Sequence, residues 1–185
     1  MAPLLETKRL RGYVVGLDAA KQLLAYESRN RAAFAPYSVT HQTSYYTLSS
    51  LQDVCEKQVS LYLKGRMLPL LFFAKEDPHH ILGAVSLNHI IWGASMSARL
   101  GYSIDANHQE QGYGKEAVGA VVQHAFKAMH LHRLEAHIMQ GNAPSIALAT
   151  ALGFSCEGVC SGYMYVNGRW EDHLRYALLG DDCRP

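Results

Sequence analysis

The sequence predicts an α+β fold, a mixed central sheet with helices on both faces, and three observations carry that reading. Apolar residues recur at period 2 in some segments and at helical spacing in others, so strands and helices coexist in one chain. Strand-like runs between Leu68 and Ile104 are separated only by short turn-rich stretches, the pattern of an antiparallel meander. The period then switches from 2 to 3.6 across Gly112-Tyr113-Gly114-Lys115, where a strand gives way to a loop and the loop to a helix. The expected order is β-α-α-β-β-β-α-β-α-β-β. A chain of 185 residues is of one-domain size, so residues 1–185 read as a single domain.

Each element has its own signal. Leu10–Val15 reads as an edge strand. Asp18 stands where an N-cap would, ahead of a helix through Arg29 whose mixed apolar face is Leu23, Leu24 and Tyr26–Glu27. Arg31–Tyr46 breaks that pattern with Pro36, several hydroxyls, and Phe34, Tyr37, Tyr45 and Tyr46. It reads as an ordered loop whose aromatics either line a site or plug the gap between two helices. Ser50 is placed to cap the next helix, whose inward stripe is Leu51, Val54, Cys55, Gln58, Val59 and Tyr62.

Leu68–Ala74 is too short and too apolar for a core helix and reads as a buried strand. Asp77-Pro78 turns the chain into the strand Ile81–Ile91, and Gly93–Ser97 turns it again into one beginning near Arg99. A helix is expected over 116–130, with Val118, Val121, Val122, Ala125, Phe126 and Met129 at helical spacing. On the following strand Leu134, Ala136 and Ile138 face one way, Glu135 and His137 the other. Asn142 caps a short helix that stops at Gly153. Phe154–Tyr165 and Arg169–Leu179 flank Asn167-Gly168, a strong two-residue hairpin signal. Asp172 shares an expected inward face with Trp170 and Leu174, where a buried, paired carboxylate would sit.

Composition narrows the function classes. Hydrophobic content of 49% with 18% charged residues describes a globular chain, neither disordered nor membrane-spanning. A net charge of +1 offers no electrostatic case for nucleic acid or an anionic membrane. Cys55, Cys156, Cys160 and Cys183 lack zinc-site spacing, so reduced thiols and no metal are expected. The charged stretch Glu6–Arg11 is unlike a signal peptide, and no apolar run approaches the ~20 residues of a span. A cytoplasmic protein is the expectation.

The glycine stretch is the most informative. Gly112 and Gly114 permit positive φ and close approach of a ligand to the backbone. The helix start beyond them carries unpaired N–H groups and partial positive charge, which suit a phosphate or pyrophosphate. By itself Gly-x-Gly is also compatible with an ordinary connection. Gln109-Glu110-Gln111-Gly112-Tyr113-Gly114, however, fits the Gln/Arg-x-x-Gly-x-Gly/Ala motif of the GCN5-related N-acetyltransferases (GNAT). Gly101–Ile104 resembles the strand before that motif, and His132–Ala136 the strand after it. Asn142-Ala143-Pro144-Ser145 with Leu152-Gly153-Phe154 is similar to the family's Asn-x-x-Ser…Leu-Gly-Phe segment. Gly168–His173 and Glu6–Leu10 resemble the closing hairpin and first strand of the RimJ/RimL ribosomal-protein-alanine subgroup.

The resemblance implies an N-acetyltransferase acting with acetyl-CoA on a protein or peptide α-amine, a ribosomal protein among the candidates. Acetyl-CoA would be held by Tyr102, Ser103, Ile104, Gln109, Glu110, Gln111, Gly112, Tyr113, Gly114, Lys115, Asn142 and Ser145. Lys115 either sits over a phosphate or is a solvated first-turn residue. Ser145 is the expected catalytic residue, assisting departure of a thiolate whose conjugate acid has pKa about 8.5. Asn142 and Ser145 are also a plausible helix cap and nothing more. Backbone N–H groups near Ser103–Asp105 would polarise the carbonyl if adjacent strands splay there.

No carboxylate occupies the position where some relatives carry a base, since that region reads Ser161–Tyr165. His89, His137, Tyr163 and Asp172 are the remaining candidates, and Glu157 reads as structural. Tyr37, Trp92, Tyr163 and Tyr165 are expected to line an acceptor groove. A small-amine acetyltransferase (amino sugar, antibiotic, polyamine or amino acid) and a non-catalytic acyl-CoA-binding module are the competing readings. Neither nucleic acid nor membrane is expected as a partner, and the chain reads as a monomer or homodimer.

Overall fold

The computed structural model describes residues 2–180, so Cys183 lies outside the described residues. Among these, the strands are β1 (Leu5–Glu6), β2 (Leu10–Val14), β3 (Leu68–Ala74), β4 (Ile81–Ile91), β5 (Ser97–Ile104), β6 (Arg133–Met139), β7 (Ser155–Val166) and β8 (Arg169–Leu179). The helices are α1 (Ala20–Phe34), α2 (Leu48–Leu63), α3 (Tyr113–Lys127) and α4 (Ala143–Ala151). The strands form one eight-stranded sheet of order β1-β2-β3-β4-β5-β6-β8-β7. Every neighbouring pair is antiparallel except β5 and β6.

Alternation along the strands sorts the core into two layers. Leu68, Leu70 and Phe72 of β3 pack toward α3 and α4, with Val118, Val121, Ala125 and Ala149. Leu71 and Phe73 point the other way, toward Leu23 and Tyr26 of α1 and Leu51 and Cys55 of α2. Successive residues of one apolar strand therefore serve opposite layers, which is why Leu68–Ala74 reads as continuously hydrophobic. The mixed sheet with helices on both faces is as the sequence predicts.

Several local expectations are corrected. Leu10–Val14 is not an edge, because Leu5 and Glu6 pair with Gly12 and Arg11 outside it. The stretch Glu6–Leu10 is not one strand either: Thr7 turns the chain, donating its N–H to the Leu10 carbonyl at 2.9 Å. Asp18 lies within a 3-10 turn, Leu17–Ala19, that leads into α1, and α1 has no side-chain cap. The helix runs past Arg29 to Phe34, because Phe34 still finds Tyr26 one face along, ring centroids 5.6 Å apart.

Thr47, not Ser50, caps α2: its backbone is extended and its hydroxyl accepts the Ser50 N–H at 3.3 Å. Tyr62 is half-exposed at the end of that helix rather than inward. Asp172 and Trp170 lie on the exposed side of β8, and Asp172 accepts the Gly162 N–H at 2.7 Å. His173 is the buried residue there. A register shift in β7 between Cys160 and Met164 displaces the alternation that the sequence pattern assumes.

Two features place the site. The parallel contact of β5 with β6 extends only over Ser97–Arg99 and Arg133–Glu135. Beyond it both strands continue, to Ile104 and Met139, without pairing to each other. The sheet is thus open between them at their C-terminal ends. The β7–β8 turn, with Asn167 and Gly168 both at positive φ, reaches across to the α1–α2 loop. There Asn167 donates its N–H to Thr40 Oγ1 at 2.8 Å and its side-chain amide to the Ala35 carbonyl at 3.0 Å.

Candidate active site

The glycine loop begins α3 abruptly. Gly112 has φ of +80°, contributes no capping side chain, and starts the helix at Tyr113, earlier than the apolar pattern alone suggests. The first-turn N–H groups of α3 are therefore uncapped by Gly112 and aimed at the loop. A Cβ on Gly114 would meet Ile104 of β5 and Leu148 of α4, each at 3.4 Å. The loop, the end of β5 and the start of α4 thus converge at one place.

The loop is held from behind. Glu116 accepts from the Thr7 hydroxyl and the Arg9 N–H, both at 2.7 Å, and from Arg9 Nε at 2.6 Å. Burial raises the Glu116 pKa, and these bonds outweigh it, so the group is held below its usual range. Arg9 also donates to the Gln111 carbonyl at 3.0 Å and lies over the Tyr113 ring. Gln109 and Gln111 donate their amides to the carbonyls of Ile104 and Asn107, while Glu110 takes a positive φ of 60°. Lys115 is exposed.

Asn142 caps α4, its Oδ1 accepting the Ser145 N–H at 3.2 Å. That cap presents Ser145 to β5. Tyr102 Oη and Ser145 Oγ share a hydrogen bond of 2.7 Å, and Tyr102 also donates to the Ser145 carbonyl at 3.1 Å. Burial raises the Tyr102 pKa against a smaller opposing effect of the Ser145 bond, so the phenol stays protonated. Its role toward Ser145 had no signal in the sequence, since 43 residues separate them.

Neighbouring residues of a strand point to opposite faces, and β5 uses both. Tyr102 meets Ser145 on the α4 face, whereas Ser103 bonds the Tyr26 hydroxyl at 2.9 Å on the α1 face. Asp105 donates its N–H to the Leu82 carbonyl of β4, so the alternate groups of Tyr102 and Ile104 are directed at the gap left by β6. The donors expected near Ser103–Asp105 are, on this alternation, those of Tyr102 and Ile104.

On the α1 face lies a cavity of about 260 Å³ lined by Glu27, Phe34, His41, Tyr46, Ser103 and Asn167, among others. Arg31 also lines it, with its guanidinium over the Tyr46 ring. Burial pushes the Glu27 carboxyl up and the His41 imidazole down. Tyr37 follows α1 beside this cavity, half-exposed, and Tyr165 is exposed, edge-on to Trp170. Tyr163 stacks on His137 at 4.4 Å and lies 5.1 Å from His173. Trp92 is not brought to the others. It follows Ile91, which pairs with the first residue of β5, and its indole N–H donates to the Gly65 carbonyl. That is the end of the β4–β5 ladder opposite Ile104, so Trp92 is withdrawn as a groove wall.

Of the base candidates, exposed His89 is also at that far end, at positive φ in the β4 irregularity. Glu157 is structural: Arg133 and Arg175 both contact it. His80, Asp105 and His108 bring their ligand atoms within 4.8 Å of one another. A cation there would face the Arg29 guanidinium, which already donates to the fully buried Asp105 along with Asn30. That cluster is a structural hub. Neither Asp105 nor Glu27 was singled out by the sequence, which offers only lone carboxylates at both positions.

The geometry meets known proteins at this point. The family profile described as an acetyltransferase (GNAT) domain matches residues 12–155. The chain belongs to the GNAT acetyltransferase family. This GNAT chain is 35% identical over 164 residues to the probable N-acetyltransferase YjcK of Bacillus subtilis (strain 168), covering 88% of this chain and 90% of that one. The crystal structure of ribosomal-protein-S5-alanine acetyltransferase from Vibrio fischeri superposes with a TM-score of 0.91 at 29% identity, covering 98% of each chain. Mycobacterium smegmatis RimJ, solved in complex with CoA-disulfide, shares the fold with a TM-score of 0.86 at 24% identity, covering 97% of this chain and 90% of that one. The protein is an N-acetyltransferase, and the GNAT architecture accounts for the glycine loop and the open β5–β6 edge.

Proposed function

We propose that the protein transfers acetyl from acetyl-CoA to the N-terminal α-amine of a protein or peptide, in the manner of the ribosomal-protein-alanine enzymes. The observation that carries this reading is the two-sided site around the end of β5. Ser145 and Tyr102 stand on one face, and a small cavity roofed by Asn167 stands on the other. The likeness to the Vibrio fischeri enzyme supports a ribosomal-protein acceptor. The residues present fit acetyl-CoA: a side-chain-free turn at Gly112 leaves the start of α3 open to a pyrophosphate. Gln109, Glu110, Gln111, Tyr113, Gly114 and Lys115 complete that cradle, and Asn142, Ser103 and Ile104 border the acyl arm. The cofactor supplies an activated acetyl group as a thioester.

The chain's own residues then divide the work. Backbone N–H groups of Tyr102 and Ile104 receive the carbonyl oxygen as charge develops on it. Tyr102, kept neutral by burial, shares a hydrogen bond with Ser145 Oγ that holds the serine hydroxyl in place, and Ser145 supplies the proton to the departing sulfur. The cavity is smaller than the ~300–1,000 Å³ of drug-sized ligand sites, which suits the end of a chain with a small first residue. Of the eleven described residues lining it, Glu27 alone is acidic. One carboxylate matches one ammonium, not a polyamine's several. Tyr37, between the lining residues Ala35 and Ser38, and Tyr165, two residues before the lining Asn167, are the aromatics proposed to contact the acceptor chain, with Tyr163. Among the described residues no helix is long and apolar enough to cross a membrane. A cytoplasmic monomer or homodimer, built as a single domain, fits this role.

Thiol release from acetyl-CoA decides the matter, measured with peptides beginning in Ala or Ser, lysine peptides, spermidine and an aminoglycoside. The N-terminal peptides should show the highest kcat/KM. A higher value for spermidine or the aminoglycoside than for every peptide would replace this assignment with the small-amine one.

A further inference from the structure

We infer that Glu27 is the group in the acceptor cavity that takes the proton from the incoming ammonium, an inference that rests on the acetyl-acceptor reading of that cavity. Glu27 is on the inner side of α1, one residue from Tyr26, whose hydroxyl bonds Ser103 at 2.9 Å. Ser103 lines the same cavity and sits between Tyr102 and Ile104, the residues whose N–H groups face the open strand edge. A ligand in this cavity therefore has the carboxylate on one side and the edge of β5 on the other.

The carboxylate is available. Among the described residues no hydrogen bond or ion pair to the Glu27 side chain is formed. Arg31, one helical turn on, is turned to the Tyr46 ring instead, 4.5 Å from its centroid. The other titratable or charged neighbours are His41 and Tyr46 from the α1–α2 connection and the buried hydroxyls of Tyr26 and Tyr45. None of these offers a fixed cation. A half-buried, unpaired carboxylate is costly to keep unless an ammonium completes it. Burial raises the Glu27 pKa, which narrows its gap to an α-amine at about 7.7–8.0 and eases the proton transfer.

The step balances. One N–H bond of the ammonium breaks, the proton joins a Glu27 oxygen, and the nitrogen keeps the lone pair. That amine then forms the C–N bond as the C–S bond of the thioester breaks. The nitrogen's second proton is lost, the thiolate gains one, and overall one proton reaches solvent through Glu27.

The experiment compares Glu27→Gln and Glu27→Asp with the unaltered enzyme from pH 6 to 10. It uses an Ala-initiated peptide and spermidine, so either amine reports on Glu27 whichever one proves the better acceptor. Glu27→Gln should lower kcat/KM roughly 10²-fold near pH 7, with the deficit shrinking as the amine deprotonates unaided. Glu27→Asp should recover part of the loss. Acetyl-CoA affinity by calorimetry and thermal stability should hardly change, since the amide relieves a buried charge. An unchanged kcat/KM in Glu27→Gln at every pH would overturn the inference. So would a loss equal at all pH values, which would make Glu27 a shape-determining residue only.

Discussion

Ser145 and Tyr102 share one hydrogen bond of 2.7 Å, so their substitutions should not add. Ser145→Ala removes the hydroxyl proposed to protonate the leaving sulfur and should lower kcat by roughly 10²–10⁴ with acetyl-CoA affinity nearly unchanged. Tyr102→Phe should cost less, because Ser145 keeps its own proton. The double variant should be no worse than Ser145→Ala. Steady-state kinetics with a calorimetric acetyl-CoA titration measure all three. Full kcat in Ser145→Ala, with only a lower Tm, would reduce the serine to part of the α4 cap. Ser145 itself was readable from Asn142-x-x-Ser145, a pattern spanning one helical turn. Tyr102 was readable as part of a strand but not as the partner of that serine. Glu27 was a solitary glutamate in a helix until folding set it in a cavity.

At the scale of the element, the loop before α3 and the strand behind it behave as one piece. Gly112 at φ +80° is in a region that costs a β-branched residue about 1–2 kcal/mol, and its added Cβ would come within 3.4 Å of Arg9 Nη2. Gly112→Val should therefore abolish measurable acetyl-CoA binding while the fold survives, because most of the core is elsewhere. Calorimetry on the folded variant checks it, and unchanged affinity would put the cofactor at another site. The glycines and the period change announced this loop. The clasp behind it was not legible: Thr7 and Glu116 are 109 residues apart, and nothing local marks them as partners. The helix caps show the same division. Asn142 was read correctly, whereas Thr47 and Ser50 are both hydroxyl residues within one turn, and only the extended backbone at Thr47 distinguishes the cap.

The whole molecule is tied together near Asp105, which is fully buried and collects α1, the end of β5 and the turn after it. Burial would raise its pKa, but donors from Arg29, Asn30, His108 and the Asn107 N–H outweigh that and hold the carboxyl well below the ordinary range. A depressed folded-state pKa contributes stability that is complete above the unfolded value near 3.9 and is lost as pH falls through the folded one. Asp105→Asn should cost about 3 kcal/mol at pH 7, since it leaves Arg29 without its counter-charge. The difference between the two proteins should shrink below about pH 4. Urea denaturation from pH 3 to 7 measures this, and a constant difference down to pH 3 would rule it out. The amino-acid sequence by itself determined the strand and helix alternation, the glycine loop, the Asn142 cap, the Asn167-Gly168 hairpin and the family. Each is written within a few residues, where backbone preference and side-chain period act directly. Only the tertiary structure decided that β5 and β6 part after three pairs, that Tyr102 serves Ser145 while Ser103 serves Tyr26, and that Asn167 reaches Thr40 across 127 residues. Those depend on sheet order and register, which long-range packing selects and local propensity does not encode.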